Sequence, residues 1–116
     1  MNLDDDSEVD PGDAAVLDAL RERGADLSRE REILHYLHVP SEEAARAVAD
    51  MVRNEGYAAE VLEPTPETRA TTYPWAVVAR GVRVVDEHSV REARVALTEL
   101  AAEHGGEYDG WEAAAD

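Results

Sequence analysis

Chemistry in this chain has few places to start, because it contains no cysteine and therefore no thiol nucleophile, disulfide or thiolate metal ligand. Its four histidines are His35, His38, His88 and His104. His35 and His38 lie three apart in "EREILHYLHVP", a stretch that reads as a strand, so their side chains point to opposite faces and cannot share an ion. His88 and His104 sit near opposite ends of one expected helix, more than about 20 Å apart at the usual helical rise. No metal site is expected from either pair. His104, in a last helical turn, has the simpler role of complementing the helix dipole when protonated.

Nucleophilic catalysis finds no better footing. The serines are Ser7 in an acidic tail, Ser28 in a turn, and Ser41 and Ser89 at helix starts, where capping accounts for them. Carboxylates are so abundant that adjacent pairs arise without design. Gly105-Gly106 precedes a strand rather than opening a helix, so it is no phosphate loop. The expectation is a protein with no catalytic set, no bound metal and no cofactor.

These side chains are carried by a regular succession of elements. Residues 1–12 read as a disordered acidic tail, ended by the Pro11-Gly12 break. Asp13 to Arg23 reads as a short helix with Val16, Leu17 and Leu20 on one face and Gly24 as its stop, and it has the look of an appendage. Glu30 to Pro40 is a central strand. Ser41 caps a helix with the apolar stripe Ala44, Ala45, Val48, Met51 and Val52, stopped by Gly56. "YAAEVLE" is a shorter, more polar strand, and "PTPETRATT" a loop. "WAVVARGVRVV" is a long strand, and Ser89 to Glu92 match a capping box. The next helix aligns Val90, Ala93, Leu97, Leu100 and Ala101, and Gly105 stops it before the last strand.

After the first helix the order is strand-helix-strand twice over. That pattern predicts an α+β, ferredoxin-like βαββαβ fold: an antiparallel four-stranded sheet with helices on one face, plus the short N-terminal helix. The first and third strands, the most apolar, should be central, and the charged second and fourth should form the edges. Residues 13–113 are expected to make a single domain.

Charge limits the partners. Of 116 residues, 27 are acidic and 11 basic, all of the latter arginine, for a net charge of −16. Such a surface repels a nucleic-acid backbone. The acidity fits adaptation to high salt better than a surface built for one basic partner, since it is spread along the whole chain. The acidic start lacks the features of a signal peptide, and no apolar run approaches the length of a membrane span, so a cytoplasmic monomer is expected.

Aromatics are scarce, six in all, yet the last strand holds two of them within "EYDGWE". Strict alternation puts Tyr108 and Gly110 on one side and Asp109 and Trp111 on the other, so that one aromatic closes the core and the other lies open near Gly110. Trp75, Tyr108, Asp109 and Trp111 are therefore the candidate partner-binding residues, with two ordinary edge-strand aromatics as the plainer reading. Tyr36, Trp75, Tyr108 and Trp111 on strands also raise base stacking on an open sheet. The missing phenylalanine and the charge weigh against it. A small-molecule regulatory domain of similar fold is the other alternative.

Three separated blocks carry a family resemblance: Arg23-Gly24-Ala25-Asp26-Leu27, the strand ending at Pro40 before Ser41-Glu42-Glu43-Ala44-Ala45, and Glu107-Tyr108-Asp109-Gly110-Trp111-Glu112. From about Ala19 to Ala113 the chain resembles the regulators of ribonuclease E activity, type B (RraB). The resemblance implies a ferredoxin-like fold and a non-enzymatic role, binding a ribonuclease E-like or RNA-processing partner and restraining its cleavage of RNA. The family has no catalytic set to transfer.

Overall fold

The computed structural model describes residues 10–114. Its elements are α1 (Pro11–Glu22), β1 (Glu30–Val39), α2 (Glu42–Asn54), β2 (Ala58–Leu62), β3 (Trp75–Val84), α3 (Glu87–Glu103) and β4 (Glu107–Ala113). The four strands form one sheet in the order β2-β3-β1-β4, and every neighbouring pair is antiparallel. As expected, β1 and β3 are central, and the protein is an α+β fold of three helices and four strands.

Helix starts follow the capping chemistry with two shifts. Ser41 Oγ accepts from Ala44 N at 3.1 Å, the expected cap of α2. In α1 the Pro11-Gly12 pair is the first helical turn rather than the end of a tail: Asp10 caps it, accepting from Gly12 N at 2.8 Å. Proline suits that position because its missing N–H has no helical partner anyway. Of the expected tail, residues 1–9 lie outside the described residues. In α3 the capping box is Asp86 with Ser89, not Ser89 with Glu92. Ser89 N donates to Asp86 Oδ1 at 2.9 Å and Asp86 N to Ser89 Oγ at 3.0 Å, so the helix begins three residues earlier than Ser89 would place it. Each helix ends in a glycine at positive φ, namely Gly24, Gly56 and Gly105.

One face of the sheet takes all three helices. Arg31, Ile33, His35, Leu37 and Val39 alternate along β1 as its buried side. Leu37, Val39, Val77 and Ala79 meet Ala45, Val48, Ala49 and Val52 of α2 and Leu97 and Ala101 of α3. A second cluster joins Leu17 and Leu20 of α1 to Ile33, Val85, Val90 and Trp111, and Tyr108 touches both clusters.

The last strand departs from simple alternation. Tyr36 pairs with Gly110 but Leu37 with Tyr108, so Asp109 is an extra residue in a β-bulge. Gly110 sits at φ 128°, a backbone region nearly closed to other residues. The bulge resets the register, and Tyr108 and Trp111 both face the helices. The expectation that one of them lies open on the opposite face is therefore overturned.

Candidate functional site

A buried polar network ties the ends of the chain to its middle. Asp13, only 2% exposed, stands in the first turn of α1 on the same stripe as Leu17 and Leu20. It accepts from Arg94 Nε and Nη2, each at 2.7 Å, and from Trp111 Nε1 at 2.7 Å. A bidentate guanidinium-carboxylate pair is among the stronger polar contacts available, and here it joins α1, α3 and β4. The hydrogen bonds to Asp13 push the Arg94 pKa further up, so its charge is permanent.

Next to this pair lies His35, 1% exposed in the middle of β1. Its Nδ1 is 2.8 Å from the Tyr108 hydroxyl, and the Tyr57 ring meets it edge-on with centroids 5.6 Å apart. Burial, helped by the Arg83 charge, pushes its pKa down to about 4. Burial likewise raises the Tyr108 pKa. At neutral pH both groups are uncharged, and neither is poised beside a nucleophile. Ser89, which lines the same groove as His35, has its hydroxyl engaged, donating to Val84 O at 2.8 Å while it accepts from Asp86 N.

The candidate partner-binding residues do not form one patch. Tyr108 and Trp111 join the internal network, and Trp111 is only 9% exposed. Asp109 is exposed on the opposite face, where its Oδ2 lies 3.2 Å from His38 Nε2. Trp75, half-buried against the α2 side of the core, lines a shallow recess with Arg46, Arg53 and Glu63. Alternation did separate His35 from His38 as expected. Asp13 and Arg94 were missed, although each occupies a core-facing helical position: Asp13-Leu17-Leu20 and Val90-Arg94-Leu97 share one spacing logic.

Two surfaces remain to meet a partner. The face of the sheet away from the helices carries no covering layer among the described residues. Leu34, Tyr36, Val78, Val82 and Leu62 stand on it, with Val82 62% exposed. Carboxylates of Glu32, Glu60, Asp109 and Glu112 are set among them, with Arg80 Nε 3.6 Å from Glu32. On the helix side a groove of about 490 Å³ runs along α3, with His35 and Tyr57 among the residues that line it. Arg83 lies over the Tyr57 ring at 4.1 Å and donates to Glu55 O at 2.8 Å.

Among the described residues no group of three or more His, Asp or Glu side chains could hold a metal ion, and no helix is long and apolar enough to cross a membrane. No match to the chain is found among curated proteins. Residues 12–113, nearly the whole chain, match the family Regulator of ribonuclease activity B (RraB), and the chain belongs to that family.

Proposed function

We propose that the protein is a non-catalytic regulator that binds a ribonuclease or RNA-processing complex and restrains RNA cleavage. Family membership supplies the ribonuclease. The observation that carries the mode of action is the uncovered sheet face, where Leu34, Tyr36 and Val78 adjoin with charged side chains set around them, since exposed apolar surface rimmed by polar groups marks protein contact sites. Acidic groups around an apolar centre suit a basic segment of a partner, and covering such a segment competes with RNA for it. In this reading Asp109 is a contact residue, Trp75 faces α2 and takes no part in the contact, and Tyr108 and Trp111 hold the β4 edge in shape.

Direct RNA binding is disfavoured by the same face. Of the strand aromatics Tyr36, Trp75, Tyr108 and Trp111, only Tyr36 is on it, so a stacking platform is missing. We take the strand order and antiparallel pairing to support a ferredoxin-like arrangement with α1 added. The proposed state is a single-domain cytoplasmic monomer.

The test is capture from native high-salt lysate with the immobilised protein, followed by mass spectrometry. A nuclease, helicase or RNA-processing factor should be retained by the wild type and lost with Val82→Arg. Recovery of none of these would remove the reading.

A further inference from the structure

We infer that the groove beside α3 is a second docking site, one that takes an amphipathic, positively charged helical segment of a protein partner. The inference rests on the reading that the protein acts by binding other proteins, but not on which protein that is.

Shape comes first. The α3 residues on the groove recur at every turn from Ser89 to Glu103, a run of about 21 Å at the helical rise. The other wall is short: the last turn of α2, from Met51 to Glu55, followed by Tyr57 and Arg83. A compact small molecule would leave most of that length empty, whereas a helix of a few turns fills it. The bottom is apolar, with Val52, Val90 and Leu97 buried there, while Met51 is 46% exposed at the lip. Met51 belongs to the apolar stripe of α2, yet it covers no core. A flexible thioether in such a place adapts readily to a partner's side chains.

Charge then selects the occupant. Glu92, Glu99 and Glu103 line the α3 wall, and Glu55 faces them from the end of α2. Glu92 is 3.3 Å from His88, but Glu55, Glu99 and Glu103 have no ion pair among the described residues. The one cation on the lining, Arg83, is occupied by the Tyr57 ring and Glu55 O. His35 on the lining is neutral and adds no positive charge. A second copy of this chain, at net charge −16, would bring carboxylates against carboxylates. A helix with leucines on one stripe and arginines flanking it matches both the floor and the rim.

The probe is a fluorescein-labelled synthetic helix of about 16 residues, with leucines at i, i+4, i+7 and i+11 and arginines beside them. It is titrated with the full chain at about 0.15 M salt and followed by anisotropy. Saturable binding is expected, weakened about ten-fold or more in three cases: with a scrambled peptide of the same composition, with Ala96→Trp, and with the double change Glu99→Gln, Glu103→Gln. Ala96 is exposed, so the added indole fills the groove without entering the core, and thermal melts verify that each variant is folded. Val82→Arg, on the other face, should leave the affinity unchanged. Equal affinity for the scrambled peptide, indifference to Ala96→Trp, or sensitivity to Val82→Arg would each overturn the groove assignment. The lysate capture by the sheet face would stand or fall separately.

Discussion

Along β1 the chain alternates between two environments, and the two faces of the sheet are built on opposite terms. Toward the helices, even the polar side chains find partners inside: Asp13 with Arg94 and Trp111, His35 with Tyr108. Away from the helices, Leu34, Tyr36 and Val82 stand beside carboxylates with nothing over them among the described residues. The first face converts chemistry into stability, and its reactive-looking groups are structural. The second holds little stability and much of the surface that can meet another molecule. Substitutions should therefore divide cleanly, costing folding on one face and binding on the other.

The largest effect is expected at Asp13. Asp13→Ala strands the Arg94 guanidinium and the Trp111 indole N–H beside a cavity, and removing one member of a buried ion pair costs about 3–5 kcal/mol. Arg94 is 31% exposed and can recover some hydration, so about 3 kcal/mol in urea denaturation is the expected outcome. Trp111→Phe removes one donor while the carboxylate keeps its guanidinium, and should cost about 1 kcal/mol. A loss below about 1 kcal/mol for Asp13→Ala would make α1 the appendage that its length suggests.

His35 gives a pH signature to the same face. Its folded pKa lies at about 4, below the ordinary 6.5. Above the ordinary value both folded and unfolded chains hold a neutral ring, and His35 contributes nothing to pH dependence. As pH falls from about 6.5 toward 4, the unfolded chain takes a proton that the folded chain refuses, so stability is lost through that window. The full loss is on the order of 3 kcal/mol, since each pKa unit corresponds to about 1.4 kcal/mol. Carboxylates titrate in part of the same range, so the comparison is with His35→Gln, which keeps a hydrogen-bonding group for Tyr108 but cannot titrate. The wild type should lose stability relative to His35→Gln as pH drops. Parallel curves would mean that His35 takes up its proton as readily in the folded chain as in the unfolded one.

Much of this division was legible in the sequence. Period-two alternation separated His35 from His38, apolar content put β1 and β3 at the centre, and the glycine stops marked all three helix ends. What escaped was set by tertiary geometry. Asp13 and Arg94 lie 81 residues apart, and nothing local announces that two charged side chains on apolar stripes will meet. The capping box slid because Asp86 and Ser89 both suit a helix start, and only the ladder's end at Val84 decides between them. The faces of Tyr108 and Trp111 were misassigned because strict alternation assumes no bulge. Gly110, beside which one aromatic was expected to lie open, is the residue that permits one.

Gly110→Ala therefore sharpens the comparison, since no atom lies within 4 Å of where its Cβ would go. Any cost is backbone strain at positive φ rather than a clash, about 1–2 kcal/mol. If the bulge yields instead, Trp111 leaves Asp13, and its fluorescence should shift to the red as the indole meets water. Unchanged stability and emission would show that the bulge tolerates a side chain.

Salt should act on the whole surface at once. In dilute buffer the Debye length is about 30 Å, and at molar salt about 3 Å, so screening removes most repulsion among the carboxylates. Folding gathers those charges, so the melting midpoint should rise by several degrees between dilute buffer and molar potassium chloride, equivalent to about 1 kcal/mol. Circular dichroism melts measure it. A flat or falling midpoint would overturn the expected adaptation of this surface to high salt.

The smallest effect on folding belongs to the uncovered face, and Val82→Arg is its cleanest probe. Val82 sits on a central strand yet is 62% exposed, so little apolar burial is lost when it changes. Valine suits a strand better than arginine does, which costs a few tenths of a kcal/mol. Against this, a new cation joins a chain of net charge −16 and stands across the ladder from Glu32, which is favourable by a similar amount. The two nearly cancel, and the melting midpoint should stay within about 0.5 kcal/mol equivalent of the wild type. Under the proposed reading capture of the partner should nevertheless fail, because the substitution adds a bulky cation diagonal to Leu34 on the face that a basic segment would cover. Retained capture with unchanged stability would remove this part of the sheet face as the docking surface for that partner.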